Sequence, residues 1–199
     1  MPNSPDHPDM KGLRERYREM TPGQWHDAVR EAELEHFRAT HRYCGRCGAP
    51  AEPASEKSVR CTKCGEEVFP RLNPATVVLV TRGEEALLVH ARNFSRPMYA
   101  LVAGFVETAE SLEECVAREV MEETSLKIRD IRYFGSQSWP FPSQLMVAFT
   151  AKYDSGELEF ADGELTSGGW FSREKPPLLP TPPSLSRQLI DAWIEGKLC

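Results

Sequence analysis

The chain has 199 residues, 40% hydrophobic and 27% charged, enough for one core-bearing domain plus a small module. Its 24 basic and 30 acidic side chains leave a formal charge of −6, which excludes a globally basic nucleic-acid binder. No apolar run approaches the roughly 18 residues of a membrane-spanning helix. The opening Met-Pro-Asn-Ser-Pro-Asp has neither the basic nor the apolar region of a signal peptide, so cytoplasm is the expected compartment.

Residues 1–20 are polar, with three prolines before Met10 and a charged run Lys11–Glu19, and suggest a disordered start leading into a partly helical arm. Thr21-Pro22-Gly23-Gln24 has a hydroxyl cap, a proline at the first helical position and a reciprocal Gln. It predicts a helix through about Phe37, with Trp25, Val29, Ala32 and Leu34 at roughly helical spacing. A cysteine- and glycine-rich module follows at 43–65, then a proline-marked linker, Phe69–Pro74. Strands are predicted over Ala75–Thr81, Ala86–Ala91 and Tyr99–Val102. Ser111-Leu112-Glu113-Glu114 is a second capping box, and opens a helix to about Thr124 striped by Leu112, Cys115, Val116 and Val120. Further strands are expected near Lys127–Gly135, Leu145–Tyr153 and Glu157–Phe160. Five prolines within Pro176–Pro183 imply extended chain, and a closing helix over about Pro183–Glu195 stacks Leu185, Leu189 and Trp193. The expected division is an arm (1–40), a metal module (41–70) and a mixed α/β domain (71–199).

Four of the six cysteines form two pairs, Cys44-x-x-Cys47 and Cys61-x-x-Cys64, separated by thirteen residues and each followed by glycine. Such knuckles turn tightly enough for both thiolates to reach one ion at about 2.3 Å. In a chain without an export signal, this spacing points to metal rather than disulfides. Four thiolates leave no open position, so one structural zinc per chain is expected.

Glu119, Glu122 and Glu123 stand at i, i+3 and i+4 and share one face of the second helix. Like charges at that spacing cost roughly 0.2–0.5 kcal/mol per pair, which a divalent cation offsets. The wider pattern resembles the Nudix box of the Nudix hydrolase superfamily, G-x5-E-x7-R-E-U-x-E-E-x-G-U. Gly104, Glu110, Arg118, Glu119, Val120, Glu122, Glu123 and Leu126 match it, and Ser125 stands where the family has glycine. The resemblance implies an α/β/α sandwich and metal-dependent hydrolysis of a nucleoside diphosphate linked to another group. It casts Glu119, Glu122 and Glu123 as catalytic, with Mg2+ or Mn2+ as the cation, and has Arg118 brace the loop through Glu110.

Ser136-Gln137-Ser138-Trp139-Pro140-Phe141-Pro142 is similar to S-Q-P-W-P-F-P-x-S, the signature of NADH pyrophosphatases within that superfamily. Ser138 replaces its proline and Gln144 its last serine, with Ser143 just before. Two aromatics held by prolines suit stacking on a base or nicotinamide ring. The four-cysteine ribbon, Phe69-Pro70-Arg71 and Leu178-Leu179-Pro180 agree with that subfamily. The likeness implies substrate contacts by Phe69, Phe105, residues Gln137 to Gln144 and Ser186. It also implies the Ala103 carbonyl and Glu164 as metal ligands beside Glu119 and Glu123. The activity implied is hydrolysis of NADH or NAD+ to nicotinamide mononucleotide and AMP, with NAD-capped RNA as a further substrate and a homodimer as the assembly. Two other readings stay open: a Nudix hydrolase of another substrate such as ADP-ribose, and a non-catalytic nucleotide-sensing ribbon module.

Overall fold

The computed structural model describes residues 13, 20–94, 96–141, 143–160, 163–182 and 184–198. The expected partly helical arm therefore lies almost wholly outside the described residues, as do Pro142 and the proline expected to open the last helix. The chain divides into two units, residues 1–72 with 138–144, and residues 73–137 with 145–199. Among the described residues, no helix is long and apolar enough to cross a membrane.

In the first unit, helix α1 (Pro22–Thr40) starts where the Thr21 hydroxyl accepts the Gln24 N–H and the Gln24 side chain accepts the Thr21 N–H. These reciprocal bonds satisfy helix-end donors that would otherwise lack partners. Trp25, Val29, Glu33 and Phe37 follow one another at intervals of four along one row, and Val29 and Phe37 are buried. The small sheet is antiparallel, in the order β1 (Ala51–Ser55), β2 (Ser58–Cys61), β3 (Glu67–Val68). Arg30 and Arg38 of α1 reach it, donating at 2.7 Å to the Glu56 carboxylate and the Glu56 carbonyl.

The second unit is built around β4 (Asn73–Arg82), whose run Ala75–Val80 is buried throughout. Alternation along a strand sends successive side chains to opposite faces, and here both faces are covered. Val78 and Val80 join a core with Val116 and Val120 of helix α2 (Leu112–Thr124). Val77 and Leu79 join another with Leu185, Leu189, Ile190 and Trp193 of helix α3 (Leu185–Ile194). The sheet therefore lies between one helix per face, the α/β/α sandwich. Its strand order is β7 (Lys127–Trp139), β8 (Gln144–Ser155), β4, β5 (Glu85–Ala91), β9 (Leu165–Ser172), and β6 (Val102–Phe105) pairs with the first half of β4.

Two strand expectations need correction. The third strand is Val102–Phe105 rather than Tyr99–Val102, because residues 102–105 carry the register against β4 while Ala100 makes only an isolated bridge to Val89. Residues 157–160 form no strand: Leu158 and Phe160 pack on the core as irregular chain, and the Glu159 N–H caps the Thr124 carbonyl at the end of α2. The strand at that end of the sheet is Leu165–Ser172, paired antiparallel with β5.

Candidate functional site

Helix α2 starts at a second reciprocal cap, Ser111 with Glu114, and stops at Ser125, whose φ of 59° is left-handed. A serine rather than a glycine there costs up to about 1 kcal/mol, but the turn is made. With Cys115, Val116, Val120 and Thr124 buried, the phase of the helix fixes the three acids. Glu122 is exposed, Glu119 retains 14% of its side-chain exposure, and Glu123 is only 6% exposed.

Arg118 is the hub beside them. Its Nε and Nη2 donate to the two oxygens of Glu110 at 2.7 and 2.9 Å, and its Nη1 donates to Glu119 at 2.8 Å and Glu122 at 3.0 Å. Nη2 also donates to the Phe105 carbonyl at 3.0 Å. All five guanidinium N–H groups are thereby matched to acceptors within the protein. The paired Arg118, with the Glu107 N–H, holds the Glu110 carboxyl down at a pKa of about 2. Burial pushes Glu119 the other way, against the lowering by Arg118.

Glycine at 104 makes room for this arrangement: a Cβ built there would fall within the Glu119 carboxyl group. Beyond it a cleft of ≈ 490 Å³ is lined by Ala103, Glu123 and Glu164, with Arg92 and Phe94 also on its walls. Three of the four metal ligands that the resemblance implies line this cleft, although among the described residues it is the four cysteines, and no set of three carboxylates, whose ligand atoms lie within 4.8 Å of one another; Glu164 and Glu122 both act electrostatically on Glu119. Carboxylates and a carbonyl are hard oxygen donors, the set that suits Mg2+ or Mn2+. Arg92 was not anticipated; it follows directly on β5, and its N–H donates to the Glu164 carbonyl at 2.9 Å. A cation at the end of an apolar strand was its one sequence signal.

The remaining expected contacts fall in several places. Phe105 ends β6 and is 52% exposed. Gln137 accepts the Leu185 N–H at 2.8 Å through its side-chain oxygen, an acceptor committed to the first turn of α3. Ser186, in that same turn, has a buried hydroxyl with no hydrogen-bond partner among the described residues. In the first unit, Phe69 follows β3 and is 56% exposed. Trp139 and Phe141 meet nearly edge to face, with ring centroids 5.1 Å apart and the Phe141 N–H bonded to the Trp139 carbonyl. Pro140 is buried and Ser143 and Gln144 are half-buried beside them. Ser138 donates its hydroxyl to Glu33 of α1 at 2.9 Å. Glu33 is a second residue that the sequence did not single out, though an acid breaking the row Trp25–Val29–Phe37 was visible.

In the ribbon, the sulfurs of Cys44, Cys47, Cys61 and Cys64 all lie within 4.8 Å of one another. Cys44–Cys64 is 3.7 Å and Cys47–Cys61 is 3.5 Å. An ion with bonds of about 2.3 Å to four tetrahedral sulfurs sets edges of roughly 3.8 Å, so the donor set fits zinc. N–H groups of Cys64 and Lys63 point at the Cys61 sulfur and bring its thiol down to a pKa of about 6, while hydrogen bonding to the other sulfurs pushes Cys47 up to about 12.

Comparison with known proteins adds lineage to this geometry. The NADH pyrophosphatase zinc ribbon domain family matches residues 39–69, and the NUDIX domain family matches residues 71–192. A NAD-capped RNA hydrolase NudC from Chromobacterium violaceum is 46% identical over 164 residues, covering 82% of this chain and 62% of that protein. Its counterpart in Haemophilus influenzae is 42% identical over 177 residues, covering 86% of this chain and 67% of the relative. The chain thus spans under two thirds of the length of the first of these relatives. A NUDIX hydrolase structure from Nitrosomonas europaea shares the fold, with a TM-score of 0.66 at 22% identity, over 77% of this chain and 91% of that one. With the larger family match spanning most of the chain behind a four-cysteine ribbon, this protein belongs to the Nudix family.

Proposed function

We propose that the chain hydrolyses the pyrophosphate of NADH or NAD+ to nicotinamide mononucleotide and AMP, and removes NAD caps from RNA. The observation that carries this reading is the presence in one chain of a carboxylate cleft and a ribbon of the NADH pyrophosphatase family, in a sequence 46% and 42% identical to proteins named NAD-capped RNA hydrolase.

In this reading Glu119, Glu123, Glu164 and the Ala103 carbonyl hold the catalytic cations, Mg2+ or Mn2+. Bound there, such ions neutralise phosphate charge and lower the pKa of water toward a usable nucleophile. Glu122, the most exposed of the three helix acids, orients the attacking water. The water oxygen bonds to one phosphorus as its proton passes to a carboxylate of the site, the bridging P–O bond breaks, and the bridging oxygen departs on the other phosphate. Arg118 holds Glu119 and Glu122 in register and leaves phosphate binding to other groups. Trp139 and Phe141 supply aromatic faces for a base or nicotinamide ring, with Gln144 and Ser143 close in sequence to read its polar edge. Reduced thiols at the ribbon suit the cytoplasm, and the likeness to NADH pyrophosphatases favours a homodimer.

The test is product analysis with NADH, NAD+, ADP-ribose and NAD-capped RNA, each with and without Mg2+ or Mn2+, alongside the sedimentation of the protein. Metal-dependent release of AMP from NADH and of nicotinamide mononucleotide from capped RNA is expected. Turnover of ADP-ribose alone would assign the site to another diphosphate.

A further inference from the structure

The row Trp25, Val29, Glu33, Phe37 on α1 holds an acid where its neighbours are buried or half-buried apolar groups. A carboxylate in such a place costs stability unless it is hydrogen-bonded. Its partner is the Ser138 hydroxyl, 105 residues away in sequence at 2.9 Å. Burial raises the Glu33 pKa and the bond from Ser138 opposes that rise. Ser138 is also the position at which the aromatic segment departs from the proline of the signature it resembles. Proline would stiffen the backbone there by fixing φ; serine gives up that stiffness and gains a donor.

We propose that Glu33 is a positioning residue for the segment Ser138–Gln144: its carboxylate anchors the Ser138 hydroxyl and supplies through a hydrogen bond the rigidity that a proline would give. The anchor sits next to Trp139 in sequence, so it restricts the backbone that presents the aromatic pair. Helix α1 thereby acts in recognition as well as in packing against the ribbon. The inference rests on the proposed function only in what the anchored segment recognises.

Hydrogen exchange on the full chain tests the anchor without substrate. In Glu33→Ala and in Ser138→Ala, the amides of Ser138, Trp139, Phe141, Ser143 and Gln144 exchange roughly tenfold faster, the equivalent of about 1.4 kcal/mol, while the rest of α1 and the ribbon keep their protection. Glu33→Gln retains an acceptor oxygen and stays near the parent. On NADH, Glu33→Ala raises KM by roughly tenfold with kcat held within about twofold, the split expected when binding rather than chemistry is lost. Adding Ser138→Pro to Glu33→Ala restores both the protection and KM. Unchanged exchange at 138–144 in both alanine variants would overturn the proposal. So would a loss of protection spread evenly along α1, which marks Glu33 as a packing residue, or a Ser138→Pro addition that rescues nothing. If the parent protein leaves NADH intact, the proposed function fails, and the exchange measurements alone decide the anchor.

Discussion

Replacing Gly104 by alanine isolates the placement of one carboxylate from the fold around it. The backbone at 104 pairs with Thr76 in an ordinary strand register, and φ there is not among the positive values, so alanine fits the main chain. On backbone grounds alone the change stabilises by about 0.4–1 kcal/mol through the unfolded chain. The added Cβ, however, takes the space of the Glu119 carboxyl group, the far end of a flexible side chain that yields by rotating away. That rotation gives up the 2.8 Å bond from Arg118, and hydrogen bonds to charged groups contribute about 1.5–3 kcal/mol. The net cost is roughly 1–2 kcal/mol, a fall in Tm of about 2–8 °C for a chain of this size. Turnover responds far more, because a displacement of about 1 Å in a reacting assembly can cost roughly a hundredfold. Chromatography of NADH products, beside a thermal melt of the same samples, measures both quantities. A variant that melts as expected and retains a third or more of parental turnover would falsify the assignment of Glu119 as a cation ligand.

Elemental analysis of protein purified without added metal should find about one zinc per chain, and Cys47→Ser should lose that zinc and melt earlier without a direct effect on chemistry. Glu123→Gln keeps shape while removing a buried charge; kcat should fall by about a hundredfold or more with Tm unchanged or slightly raised. Trp139→Ala should lower kcat/KM on NADH by roughly ten- to a hundredfold, since one stacked ring contributes about 1–3 kcal/mol, and should spare any residual turnover of ATP. Equal losses on both substrates would make Trp139 a packing residue. Glu110 has a folded-state pKa near 2 against an ordinary value of 4.5, so its contribution is complete above 4.5 and disappears as pH falls toward 2. Urea midpoints followed over that interval should drop less in Glu110→Gln than in the parent.

What the sequence made legible was local. Both capping boxes are signalled within four residues, and the structure starts helices at Thr21 and Ser111. The left-handed stop at Ser125 follows from a motif position, and the zinc knuckles follow from spacing within a single loop. Leu165–Ser172 was invisible for the opposite reason. Its sequence has two glycines and no clean alternation, and its pairing with β5 joins residues some 80 apart in the chain. Gly168 is there for contact rather than flexibility: a Cβ on it would lie 2.8 Å from the Phe160 ring and 3.1 Å from the Leu88 carbonyl. Leu158 and Phe160 meanwhile show the alternation of a strand yet spend it on packing, with the Glu159 N–H turned to a helix end. Glu33 and Arg92 were missed because the local signal of each, an acid in an apolar row and a cation after an apolar strand, does not say what it meets; each acquires its meaning from surroundings brought near by the fold.

The like charges on α2 raise a question of balance that the geometry of Arg118 answers. Glu119, Glu122 and Glu123 repel one another at helical spacing, and Glu110 adds a fourth carboxylate from the preceding loop. One guanidinium is shared among three of the four: both oxygens of Glu110, and one each of Glu119 and Glu122, accept from it. Lysine could not do the same, since an ammonium has three donors and no planar fork to grip Glu110 with two bonds. Glu123 is not among the acceptors of Arg118; it is buried and lines the cleft, as does Glu164. The arginine therefore settles Glu110, Glu119 and Glu122 against one another, while Glu123 and Glu164 line the cleft. For the proposed reaction this division has a consequence: a cleft walled with acids would attract a polyanionic pyrophosphate through bound cations, with Arg92 a positive side chain on the same wall.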